Sequence, residues 1–393
     1  MRIGILLTLI ILALGIWLDF KIGDKMMRKQ APVFSANTSS LREWQLITEG
    51  NVFYDVLFED ILHAKRSIKI SFFIIENDSV SQKFFNLLQE KAMAGIQVYL
   101  LMDWIGCFKV KRKYIKQLKQ TGVLVKKANP PKLPFFFYRL NQRNHRKVTV
   151  IDDEITYFGG FNIGKEYLGN DHKLGHWRDY HLRMQDDTCT DAINQTFNYD
   201  WDHTQQPKPK SQSEHRIACT LTITEAGQLE ENVIEWINQA SNSITIASPY
   251  FIPTKRIFSS LMTALRRGVG LTILVPKKAD HPFVKGAALP FFKKLIQQGA
   301  SIYYYRNGFY HTKVLLIDET WCDIGTANFD QRSFLYNQEI NLVTEQDDLL
   351  ASIKHSLAMD KADSSLLTEQ SLKKIPLPTK ISSVFSRMIR PFL

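Results

Sequence analysis

The stretch "FYHTKVLLIDETWCDIGTANFDQRSF", residues 309 to 334, decides the reading of this chain. It sets His311, Lys313, Asp318 and Asn328 around a strand-like apolar run. The same four residue types recur at the same gaps in "NHRKVTVIDDEITYFGGFN", residues 144 to 162, as His145, Lys147, Asp152 and Asn162. A single His-x-Lys on a strand is commonly just a half-exposed strand end. Two copies with matched asparagines define a constellation.

The duplication extends backwards. "AKRSIKISFFII" (64–75) pairs with "ASNSITIASPYFI" (240–252), and "KAMAGIQVYLLMD" (91–103) with "LRRGVGLTILVP" (265–276). In each pair a helix end or glycine turn runs into a buried strand. A long internal period of this kind means two similar lobes. Apolar runs alternating with helical patterns predict α/β architecture, each lobe a mixed, mostly parallel sheet flanked by helices. The chain has 393 residues, enough for two sizeable cores. The spacing predicts an N-terminal segment over 1–20, a connection over 21–44, a first lobe over 45–202, a polar linker over 203–215, a second lobe over 216–360 and a basic amphipathic tail over 361–393.

Residues 3–18 carry no charge, and Lys21, Lys25, Arg28 and Lys29 follow. This predicts a single uncleaved anchor in a bacterial inner membrane with the body on the cytoplasmic side, by the positive-inside bias. A cleaved signal core and a buried helix are the alternatives. The four cysteines are too scattered for a disulfide framework or a metal site.

Two His, two Lys and two Asn suit displacement at a phosphodiester without metal. The lysines and asparagines hold phosphoryl oxygens. One imidazole attacks phosphorus, and the other moves the proton of the departing and incoming alcohols. No cofactor is expected.

The doubled pattern resembles the phospholipase D superfamily. "GGFNIGKEYLG", "HWRDYHLRM", "SPYFIPTKRI" and "GTANFDQRSFLYNQEINL" are similar to bacterial cardiolipin synthases. The resemblance implies two lobes sharing one active site, His145 as nucleophile and His311 as acid/base. Lys147, Lys313, Asn162 and Asn328 would hold the phosphate, and Asp152 and Asp318 would complete the motifs as supporting residues. Asp179 and Glu339 would orient the histidine of the opposite lobe. Thr326 stands where the family commonly has Ser, and many members carry two spans where this chain shows one.

The net charge of +11 favours a polyanionic partner. "KKANPPKLPFFFYRLNQR" (126–143) mixes basic and aromatic residues just ahead of His145, a composition suited to an anionic bilayer or to unpaired bases. With the apolar N-terminus, lipid is favoured over nucleic acid, and no protein partner is predicted. The expected activity is transphosphatidylation of phosphatidylglycerol to cardiolipin. Hydrolysis of a lipid or nucleic acid phosphodiester by the same site is the alternative, and a lipid-binding scaffold without activity is a third reading.

Overall fold

The computed structural model describes residues 2–31, 34–203, 207–208, 217–280 and 283–373, together with Ser383 and Ser386. Most of the expected linker (203–215) and most of the expected tail lie outside the described residues.

Two mixed sheets organise the chain. One runs in the order Phe34–Thr38, Cys219–Thr224, Glu339–Thr344, Trp321–Gly325, Val314–Ile317, Ser243–Ala247, Gly270–Pro276, Ser301–Tyr305 and Ser364–Leu366. The other runs Phe309–Tyr310, Trp177–Gln185, Ile155–Gly159, Val148–Ile151, Ser67–Phe72, Gln97–Asp103 and Leu124–Ala128, with Glu43–Glu49 also paired to Trp177–Gln185. The sheets meet in one core, Val148, Val150, Phe158 and Leu182 of the first lobe against Leu221, Leu316, Ile324 and Leu342 of the second. The helices Gly50–His63 and Ser79–Met93 cover the far side of the first sheet. Lys255–Arg266 and Val284–Gln297 cover that of the second.

The expectation of mostly parallel order needs correction. Parallel pairing is concentrated in the three strands that alternate with helices in each lobe. The motif strands pair antiparallel with their successors, Val148–Ile151 with Ile155–Gly159 and Val314–Ile317 with Trp321–Gly325. The reason is the turn between them. Asp152 and Asp153 (φ 55° and 56°), and Asp318 and Glu319 (52° and 62°), reverse the chain in the left-handed region. That connection is far too short for a parallel crossover.

The edges are exchanged between lobes, which the internal repeat did not disclose. Phe34–Thr38, from the N-terminal segment, closes the second lobe's sheet against Cys219–Thr224. Phe309–Tyr310, from the second lobe, pairs parallel with Trp177 and Arg178 of the first.

The single-anchor expectation and its cytoplasmic orientation are not sustained. Among the described residues no helix is long and apolar enough to cross a membrane. Arg2–Gln30 forms one continuous helix, but its uncharged run of sixteen residues is shorter than the ~20 that the hydrocarbon core requires. Its charged half is docked on the body. Asp19 accepts the Tyr138 backbone N–H at 2.8 Å, and Phe20 packs edge-on against Tyr138 and Tyr336.

Candidate active site

Each histidine sits where the chain leaves its own lobe and pairs briefly with the other. The His145 N–H donates to the Gln338 carbonyl at 3.0 Å, and the Gln338 N–H to Arg143 at 2.9 Å, a parallel bridge centred on Asn144 and Gln338. The His311 N–H likewise donates to the Arg178 carbonyl at 2.7 Å, continuing the pairing of Tyr310 with Arg178. In both places the register sets the imidazole beside the residue that follows its partner, Glu339 or Asp179.

The side chains complete that placement. His145 Nδ1 lies 3.0 and 2.9 Å from the two Glu339 oxygens, and His311 Nδ1 lies 2.5 Å from Asp179 Oδ2. A carboxylate beside Nδ1 accepts a hydrogen bond from Nδ1–H and so keeps the proton there, which leaves the Nε2 lone pair free. Both carboxylates are fully buried. Glu339 also accepts from the Thr326 hydroxyl at 2.6 Å and the Asn337 amide at 3.2 Å. Asp179 accepts from the Tyr180 N–H at 2.9 Å and lies 3.5 Å from Lys313. Gly160, the counterpart of Thr326, has no room for a side chain, because a Cβ there would stand 1.9 Å from Asp179 Oδ1.

Lys147 Nζ donates to the His145 carbonyl at 2.7 Å, and Lys313 Nζ to that of His311. Burial pushes both imidazoles down to about 4, with the neighbouring lysines acting in the same direction. Burial also lowers Lys313 to about 8 and depresses Lys147. Burial alone would raise Glu339, but the charges of His145 and Lys147 and the hydrogen bonds from His145 and Thr326 hold it at about 2.

His145, His311, Asn162 and Asn328 line one cleft of about 670 Å³. Asn162 Oδ1 accepts the Ile74 N–H at 3.0 Å, whereas Asn328 Oδ1 is buried without a partner. Apolar side chains, among them Phe73, Ile105, Phe108, Leu174 and Trp177, form much of the wall. Trp177 and Phe73 also pack on the two imidazoles, with ring centroids 5.0 Å from His311 and 4.8 Å from His145.

Asp152 and Asp318 are not brought to the cleft. They lie beyond the far ends of the motif strands, and each carboxylate accepts three backbone N–H groups. The donors are Lys65, Arg66 and Ser67 for Asp152, and Ser241, Asn242 and Ser243 for Asp318. They tie the hairpin to the neighbouring strand and so fix the strand that directly follows His and Lys. Sequence reasoning missed Asn337 and Trp177, which occupy equivalent positions two residues before Glu339 and Asp179. Their common spacing from the orienting acids was the available signal.

Among the described residues no group of three His, Cys, Asp or Glu side chains could hold a metal ion. The cleft offers an anion two amides and two imidazoles, with Lys147 and Lys313 buried against the histidine carbonyls. That set can clamp a phosphoryl group, attack it from one side and move a proton on the other.

Comparison with known proteins shows the family. Residues 57–201 and 233–360 match the family described as cardiolipin synthase, PLD-like domain. The chain is 38% identical over 398 residues to "Minor cardiolipin synthase ClsB" of Bacillus subtilis, covering 100% of this chain and 99% of that protein. It is 36% identical to "Cardiolipin synthase 2" of Staphylococcus epidermidis, covering 88% of this chain and 74% of the relative. The crystal structure of phosphatidylserine synthase from Haemophilus influenzae superposes with a TM-score of 0.73 at 15% identity, covering 94% of this chain and 100% of that one, a likeness of fold. With two matched segments, one in each lobe, and these relatives along nearly its whole length, the chain belongs to the family of cardiolipin synthases with phospholipase D-like domains.

Proposed function

We propose that this protein joins two molecules of phosphatidylglycerol into cardiolipin and releases glycerol, through a covalent phosphohistidine. The observation that carries this reading is the pair of crossed histidine–carboxylate hydrogen bonds, which turns both imidazoles into one apolar-walled cleft. His145 Nε2 attacks the donor phosphorus, and the bond to the glycerol oxygen breaks as His311 Nε2 protonates it. The hydroxyl of a second phosphatidylglycerol then gives its proton to His311 and attacks phosphorus, forming a P–O bond as the N–P bond breaks. Lys147, Lys313, Asn162 and Asn328 hold the non-bridging oxygens throughout. His311 is neutral in the free site, so the bound phosphodiester anion supplies the charge that lets it take up its proton.

A lipid rather than a soluble substrate fits the surroundings. Leu133, Phe136, Phe137 and Leu140 are exposed on and just before the short helix Phe136–Asn141. Pro134 stands just ahead of that helix, outside its hydrogen-bonded turns. These side chains lie next to the N-terminal helix, whose Leu14, Trp17 and Leu18 are also exposed. Together they suit docking on an anionic membrane surface.

The test is to incubate the purified full chain with phosphatidylglycerol vesicles and identify the products. Cardiolipin plus glycerol is expected. Phosphatidic acid plus glycerol alone would replace transfer by hydrolysis, and no turnover with retained vesicle binding would leave a lipid-binding protein.

A further inference from the structure

Cardiolipin carries two phosphodiesters. The transfer step must therefore hold two anions at once, whereas release of glycerol or attack by water involves one. The doubled Lys and Asn motifs serve the phosphoryl group being transferred. The cleft wall also contains Glu76, Glu166, Asp171 and Asp280, which would repel a second anion.

The cations in that wall outside the two motifs are Lys109, Lys173 and Arg332. Lys109 is engaged by Glu76 at 2.9 and 3.0 Å, and Lys173 is exposed. Arg332 is half-buried, and its Nε is buried with no hydrogen-bond partner among the described residues. Among the described residues its Nη2 reaches only the Asn141 carbonyl, at 3.5 Å. The adjacent Asp330 spends an oxygen on the Ser333 N–H at 2.8 Å, capping its own helix. The buried Arg143 takes up Asp103 at 3.3 Å, and the charges of Arg143 and Arg332 act on each other. A guanidinium with unused donors in such a place calls for an anion. Asn141 is also the last residue of the helix that exposes Phe136 and Phe137. A lipid whose acyl chains stay in the membrane at that helix would bring its phosphate past Arg332.

We propose that Arg332 is the acceptor-lipid subsite, its guanidinium holding the phosphodiester of the incoming phosphatidylglycerol while that lipid's free hydroxyl attacks the phosphohistidine. This rests on the phosphatidyltransferase reading above. Arg332 exchanges no proton and touches no bond that breaks; it selects an acceptor that carries its own phosphate.

The test uses two acceptors on the full chain, with phosphatidylglycerol vesicles and labelled glycerol. Glycerol exchange into phosphatidylglycerol needs the phosphohistidine but no second phosphate, whereas cardiolipin formation needs both. In Arg332→Gln, cardiolipin formation should fall about tenfold to a hundredfold, the loss of one charge-assisted contact. Exchange should stay near wild type, and phosphatidic acid should rise relative to cardiolipin. Arg332→Lys should recover part of the loss as a point charge. Equal loss of exchange and transfer, or no loss of either, would overturn the subsite, as would a loss matched by a lowered thermal midpoint. A wild-type protein that exchanges glycerol but makes no cardiolipin would instead remove the transferase reading, and the subsite with it.

Discussion

Replacing Glu339 by Gln tests the crossed geometry at its most committed atom. The carboxylate receives three donors, His145 Nδ1–H at 2.9 Å, the Thr326 hydroxyl at 2.6 Å and the Asn337 amide at 3.2 Å. A glutamine amide keeps one acceptor oxygen and gains an N–H₂ group, so at least one of those donors meets a donor. The hydroxyl can rotate and the Asn337 amide can flip, but if the new N–H₂ faces His145 the imidazole must accept at Nδ1. The proton then moves to Nε2, and the nucleophilic lone pair is gone. Where an orienting carboxylate of a catalytic histidine is replaced by its amide, the loss is about 10⁴-fold in kcat, roughly 5.5 kcal/mol of barrier. For Glu339→Gln the expected loss in cardiolipin formation from phosphatidylglycerol is therefore about 10³- to 10⁴-fold. An alkaline quench with peptide mapping should find no phosphohistidine at His145. The fold should survive, since the amide is isosteric. A folded variant that keeps activity within about tenfold, or that still accumulates adduct at His145, would refute the tautomer argument and the role given to His145.

Three further outcomes follow from the same geometry. Cardiolipin formation should fall as pH drops through about 4, where His145 takes up a proton and loses the lone pair that attacks phosphorus. It falls again as pH rises through about 8, where Lys313 gives up its proton and the phosphate clamp loses charge; activity that stays level through both values would contradict these roles. Asp318→Asn should cost about 1–3 kcal/mol of stability, seen as a thermal shift of a few degrees, with kcat of the folded fraction little changed; a large kcat loss at unchanged melting would make Asp318 part of the chemistry. Replacing Phe136 and Phe137 by Ser should weaken binding to anionic vesicles by about 1–2 kcal/mol per ring on an area basis, measured by sedimentation, while a soluble short-chain substrate is turned over as before; equal loss on both substrates would mean that the rings support the fold.

The duplication was legible because four polar residues at fixed gaps cannot be set by strand periodicity alone. The α/β class followed from the alternation around them. Strand direction was less legible, because Val148–Ile151 reads as a buried apolar run whichever way its neighbour points. The decisive information lies in two left-handed aspartate positions, which look like ordinary polar turn residues. Asp179 and Glu339 were found through resemblance, since nothing in spacing says that each serves the histidine of the other lobe. Arg332 and Asn337 drew no attention because an exposed-type residue becomes informative only when its burial and its missing partner are known. At the N-terminus, apolarity was read correctly and its length was not. The helix continues past Asp19, and the polar half that follows is a docking face for Tyr138 and Tyr336.

The exchange of short strands between lobes has a consequence for the order of synthesis. When residues 1–202 have left the ribosome, His145 is present but its partner, some two hundred residues on, has not been translated. Asp179 likewise waits for His311. Glu339 follows His311 in the chain, and only with it does His145 acquire the carboxylate at its Nδ1. A chain that stops short of Glu339 would therefore lack one of the two crossed histidine–carboxylate pairs.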